Sequence, residues 1–129
     1  MTIDFESFTP GTDISGMDLG GVVVTAGAFP VLIRNTGPGP SLRTISTDPF
    51  TTNDPFRADF TVGGVNSVSI DLGDNGADED YLFLSAFDAS DGWLGSDLIH
   101  LGAGVTALLP LSVASGSDIA YVLFGSIGP

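Results

Sequence analysis

The side chains best suited to chemistry crowd into one stretch. Between Ser69 and Asp97 the chain reads SIDLGDNGADEDYLFLSAFDASDGWLGSD, with eight of its sixteen acidic residues and no basic one. Asp71, Asp74, Asn75, Asp78 and Asp80 lie within ten positions of one another around Gly73 and Gly76. Calcium takes six to eight oxygen ligands from carboxylates and carbonyls of a flexible loop, and a Gly-containing loop between two strands can fold several such groups inward. The frame is not that of an EF-hand, and the Gly-rich calcium β-roll repeat is matched only in part and once. A solvated acidic turn fits the same residues. Asp88, Asp91 and Asp97 read as hairpin and edge-strand residues, because Asp favours a turn by bonding its own backbone and a charged edge resists strand addition.

Trp93 is the single tryptophan and follows directly on the Asp-Gly of a turn. An indole there could stack on the apolar face of a sugar ring, or fill the space between two sheets, as Trp does in many sandwiches. Tyr121 and Tyr81 are further stacking candidates. His100, the single histidine, stands between apolar neighbours in LIHLG, where it is expected to point to solvent or to a backbone acceptor. No Gly-x-Ser-x-Gly elbow is present, and no pair of carboxylates stands out as a hydrolytic couple. The expectation is a protein that is not an enzyme.

The bulk composition narrows the partners. A net charge of −13 with three Lys plus Arg argues against nucleic acid, since phosphate contacts need clustered cations. Arg34, Arg43 and Arg57 are expected to pair locally with acid. No apolar run reaches the roughly 18 residues of a membrane-spanning helix, so membrane insertion is not expected. With no cysteine, disulfides, thiolate-bound zinc and a Cys nucleophile are absent. The opening Met-Thr-Ile-Asp-Phe-Glu has no basic and apolar leader pattern, so a signal peptide is not expected within it.

The elements that must position these residues are short strands. Gly 18 and Pro 8 in 129 residues imply many turns, and helix formers are scarce. Strand candidates are Thr2–Phe8, Gly21–Gly27, Phe29–Arg34, Leu42–Thr47, Arg57–Val62, Ser67–Leu72, Tyr81–Phe87, Gly92–Leu101, Val105–Val113 and Asp118–Ser126. In Ser67–Leu72, Val68, Ile70 and Leu72 alternate with Ser67, Ser69 and Asp71. Tyr81–Phe87 is apolar on both faces, with Tyr81, Phe83 and Phe87 on one and Leu82, Leu84 and Ala86 on the other, which marks a central strand or one covered by a partner. Roughly nine short strands with frequent turns predict an all-β, antiparallel β-sandwich of jelly-roll type. One domain over residues 1–129 is expected, with a Gly/Pro-rich surface excursion at 35–56.

TIDFESFTPGTDISG followed by GVVVTAG, then VNSVSIDLGDNGADEDYLFLSAFDASDGWLGSD and GSDIAYVLFGS, resembles the secreted bacterial β-sandwich domains of PEP-CTERM-type exported proteins. The resemblance covers most of the chain as a pattern and contains no catalytic signature. It implies a lectin-like or carbohydrate-binding-module-like jelly roll of the cell surface or extracellular matrix, with a structural calcium ion held in part by a Glu of the opening strand, here Glu6. This sequence departs from it by stopping at Gly128-Pro129, without a closing strand or a sorting signal. Two functions follow as expectations. One is an extracellular, non-catalytic glycan-binding protein stabilised by calcium. The other is a structural subunit that assembles with copies of itself into a filament, a sheet edge left open by the missing strand recruiting a strand from the next chain.

Overall fold

The computed structural model describes residues 5–34, 44–47, 55–74, 80–102 and 107–127. Among them are nine strands and no helix: β1 Val22–Thr25, β2 Val31–Arg34, β3 Thr44–Thr47, β4 Phe56–Phe60, β5 Ser67–Asp74, β6 Asp80–Phe87, β7 Trp93–Leu101, β8 Ala107–Ala114 and β9 Tyr121–Ile127. Every pairing is antiparallel. A five-stranded sheet runs β1-β4-β9-β6-β7, and two pairs, β2-β3 and β5-β8, stand apart from it. The chain is therefore all-β.

The alternation read along Tyr81–Phe87 has the consequence expected of it. β6 is bonded to β9 on one side and β7 on the other. Leu82, Leu84 and Ala86 are buried, whereas Tyr81, Phe83 and Phe87 face outward. The register carries the same polarity across the sheet, because Leu84 lies opposite Phe124, Ala86 opposite Val122, and Val122 opposite Ala58. These inward side chains meet Val31 and Ile33 of β2, Leu111 and Val113 of β8, and Ile14 and Ile119 from the connections in one core. Each such aliphatic group contributes about 1.5–3 kcal/mol by leaving water. The packing is sandwich-like. A Cβ on Gly95 would stand 3.1 Å from Val113 Cγ1, so β8 packs tightly on β7 at this glycine.

The exposed sides of two strands are already occupied. Gly16 N donates to Val24 O at 3.1 Å and Leu19 N to Val22 O at 2.8 Å, so the preceding turn lies along β1. On β8 the Ser112 amide donates to Asp97 Oδ2 of β7 at 2.9 Å. Pro110, two residues earlier on the same side of the strand, has no amide to offer.

Several expectations need correction. Phe5–Phe8 is not an opening strand: Phe8 N closes a turn on Phe5 O at 3.1 Å, and residues 2–4 lie outside the described residues. β5 does not end at Leu72 but runs to Asp74, so Asp74 as well as Asp71 belongs to the strand, with Asp71 opposite Pro110 and Asp74 opposite Ala107. β4 stops at Phe60 because Thr61 N turns to Gly21 O. Residues 118–120 lead into β9 rather than forming it, Ile119 N and Ala120 N bonding Val65 O and Phe87 O. Within the stretch expected as a surface excursion, Thr44–Thr47 forms β3 against β2.

Candidate functional site

The outer face of the five-stranded sheet collects the aromatic residues of β6, β7 and β9. The register lines them up in rows: Tyr121, Phe87 and Trp93 across one end, Leu123, Ser85 and Ser96 next, then Gly125, Phe83 and Leu98, and finally Tyr81 and His100 at the other end. Trp93 is 66% exposed, Leu98 60% and Tyr81 44%, three of the five large exposed hydrophobic residues among those described.

Trp93 reaches this face through a break in register. Ala86 pairs with Gly95 but Phe87 pairs with Trp93, so one extra residue, Leu94, is accommodated on β7. A bulge of this kind re-aims the side chains on one side of it. Leu94 turns toward the core and Trp93 comes out beside Phe87. The hairpin that precedes it is held by Asp88, whose Oδ1 accepts from Ser90 N at 2.9 Å and Gly92 N at 2.7 Å. Asp91 N donates to Asp88 O at 3.1 Å, and Asp91 itself adopts φ 64°, a left-handed conformation that Asp and Asn tolerate best after glycine. A Cβ at Gly92 would lie 2.8 Å from Asp88 Oδ2. The Asp and Gly residues of DASDGW thus build the platform on which the indole stands.

The indole is also fixed in rotation. Trp93 Nε1 donates to Ser96 Oγ at 2.8 Å, and Ser96 Oγ lies 2.7 Å from Ser85 Oγ. The side chain stays two-thirds exposed while its one polar atom is satisfied.

Tyr121 has another role. Its ring stacks on Phe87, centroids 5.0 Å apart at 10°, and the Arg57 guanidinium covers its other face at 3.8 Å. Arg57 is held there by Asp59, Nε to Oδ1 at 3.0 Å and Nη2 to Oδ1 at 2.8 Å. The Tyr121 hydroxyl donates to Asp91 Oδ1 at 2.8 Å, and only 8% of the residue is exposed. The hydrogen bond to the Asp91 carboxylate, with burial adding to it, pushes the phenol above the ordinary tyrosine range. Tyr121, expected to offer its ring to a ligand, instead props up Phe87 and ties the hairpin to the sheet. At the far end Tyr81 stacks on His100, centroids 4.7 Å apart at 26°, so His100 is a ring of this face rather than an isolated polar residue.

The carboxylates proposed as calcium ligands are dispersed where they can be followed. Glu6 is exposed in the Phe5–Phe8 turn and Asp71 is exposed on β5. Asp74 ends β5 and Asp80 begins β6. Asn75 and Asp78 lie outside the described residues. Among the described residues no group of three or more His, Cys, Asp or Glu could share a metal ion. Asp97 caps the β8 edge as an edge residue, and the Arg57–Asp59 pair is the local pairing expected of the arginines.

The sequence places Phe83 on one face with Tyr81 and Phe87, but it does not show that Leu98, Ser85 and Ser96 join that face. The signal that pointed there was the doubly apolar Tyr81–Phe87. No protein-family model, curated protein or solved structure matches the chain.

Proposed function

We propose that the protein is a non-catalytic, lectin-like binding protein of the cell surface or extracellular matrix that takes a glycan on the outer face of β6 and β7. The observation that carries this reading is Trp93, two-thirds exposed with its N–H bonded to the Ser96–Ser85 hydroxyl pair. An exposed indole held beside hydroxyls suits a sugar ring, which presents an apolar C–H face with hydroxyls around its rim. Stacking of this kind contributes about 0.5–1.5 kcal/mol beyond the area it buries.

The alternative, a filament built by strand complementation, needs an open sheet edge. The sides of β1 and β8 described above are occupied by a turn, a proline and an Asp97 cap, which favours the glycan reading over strand addition at those edges.

The test is a titration with soluble polysaccharides followed by Trp93 fluorescence and calorimetry. A bound glycan shifts the emission of this single tryptophan, and Trp93→Ala removes binding while leaving the far-ultraviolet spectrum and the melting temperature nearly unchanged. Binding that survives Trp93→Ala at full strength would place the site elsewhere.

A further inference from the structure

The chain carries −13 net charge and sixteen acidic residues, yet the outward positions of β6 from Tyr81 to Phe87 and of β7 from Trp93 to His100 hold no carboxylate. Asp97, the acid within this span of β7, lies in the inward register opposite Leu84. On the neighbouring β4 the outward Asp59 is neutralised by Arg57. A strip free of unpaired charge on so acidic a molecule does not arise from solubility, which would favour carboxylates there as elsewhere.

The strip has length as well as neutrality. Phe87 and Tyr81 bound it on β6, six residues apart, roughly 20 Å at ~3.3 Å per residue and about the span of four pyranose rings. Between the two ends lie Phe83 and the exposed Leu98, with the Ser85–Ser96 hydroxyls beside them. Phe83 and the Pro55 backbone come within 3.7 and 3.9 Å of where a Cβ on Gly125 would be, so the two border the strip on its β9 side. Apolar surface runs straight along two strands with hydroxyls at its middle.

We infer that this strip binds an extended, uncharged linear glycan lying along β6 and β7, one end on Trp93 and the other on Tyr81 and His100. The inference rests on the glycan reading above and adds the ligand's charge, length and direction. A polyanionic glycan is repelled by the molecule's field, and a chain that curls leaves the straight strip. A second copy of this protein carries the same net charge of −13, so its approach is opposed at long range.

The experiment is calorimetry with two-, four- and six-unit oligomers of β-1,4-linked glucose, mannose and xylose, and with oligogalacturonate as the charged counterpart. In at least one neutral series, affinity rises about tenfold or more from two units to six, and Tyr81→Ala cuts six-unit binding roughly 3–10-fold, the equivalent of one aromatic stacking contact, while leaving two-unit binding unchanged. Length-independent binding, or an equal effect of Tyr81→Ala at every length, overturns the extended strip but leaves Trp93 as a glycan site. Preference for oligogalacturonate overturns the neutral ligand. Failure of every glycan to bind, or a dimer in sedimentation that Trp93→Ala dissolves, overturns both.

Discussion

Tyr121 and Trp93 show how two aromatic residues on one sheet face take opposite parts. Trp93 has its polar atom satisfied by Ser96 and stays two-thirds exposed. Tyr121 has both faces and its hydroxyl engaged, by Phe87, Arg57 and Asp91. The raised ionisation of Tyr121 gives a direct check. The carboxylate of Asp91 favours the protonated phenol, so this interaction stabilises the fold fully below the unfolded tyrosine value of about 10 and is lost as pH rises through the folded value. Asp91→Asn keeps an acceptor and a residue that tolerates φ > 0 but removes the charge. Tyrosinate absorbance should then appear at lower pH than in the parent protein, and an unchanged titration would deny Asp91 its part. At the acid end, Asp13 and Asp18 are held below the ordinary carboxylate range, Asp13 by the Ser15 hydroxyl and amide and Asp18 by the Gly21 and Gly20 amides. Their contribution is present above the unfolded carboxylate value and fades as pH falls through the folded one.

At the scale of elements, the hairpin joining β6 to β7 decides where the indole goes. Asp88 holds two backbone amides and the bulge at Leu94 turns Trp93 outward. Asp88→Ala leaves both amides without that acceptor, at about 1 kcal/mol for a lost hydrogen bond of this kind. The melting temperature should fall by a few degrees, and the emission of Trp93 should broaden as the hairpin loosens. A variant that melts with the parent would show that the turn is held by its Asp91–Tyr121 tie instead. The turn itself was legible in DASDG, because Asp and Gly bond and bend locally. The bulge was not, since register is a relation between two strands and neither strand's residues encode it alone.

Over the whole molecule, the question raised by the acidic stretch divides. Asp88, Asp91 and Asp97 serve the turn and the edge, and β5 absorbs Asp71 and Asp74 into a strand. A calcium ion in the segment that leads from β5 to β6 is proposed by resemblance, and it has its own check. If Glu6, Asp71, Asp74, Asn75, Asp78 and Asp80 share such an ion, EDTA lowers the melting temperature and Ca²⁺, but not Mg²⁺, restores it. Saturation at a hundred times Kd corresponds to about 2.7 kcal/mol, several degrees for a domain of this size. An unchanged melt with EDTA returns the acids to turns and solubility. The glycan reading stands in either case, because no residue of the β6–β7 strip belongs to that set.

The sequence alone determined the fold class, and for local reasons: alternating Val, Ile and Leu with frequent Gly, Pro and Asp leaves little for the chain to form but short antiparallel strands. It marked Tyr81–Phe87 as a central strand or one covered by a partner, and the pairings with β7 and β9 show that it is central. It suggested an opening strand around Glu6, where the chain instead turns, because Phe5 and Phe8 pack on the core from a turn as well as they would from a strand. Only the tertiary structure decided that Trp93 is open and Tyr121 is covered. Both follow from cross-strand neighbours: a bulge opposite Phe87 for the first, an arginine from β4 two strands away from β6 for the second. The uncharged strip is likewise a property of register. Its residues are spread over β6 and β7, and they share one face only because the pairing of the two strands places them there.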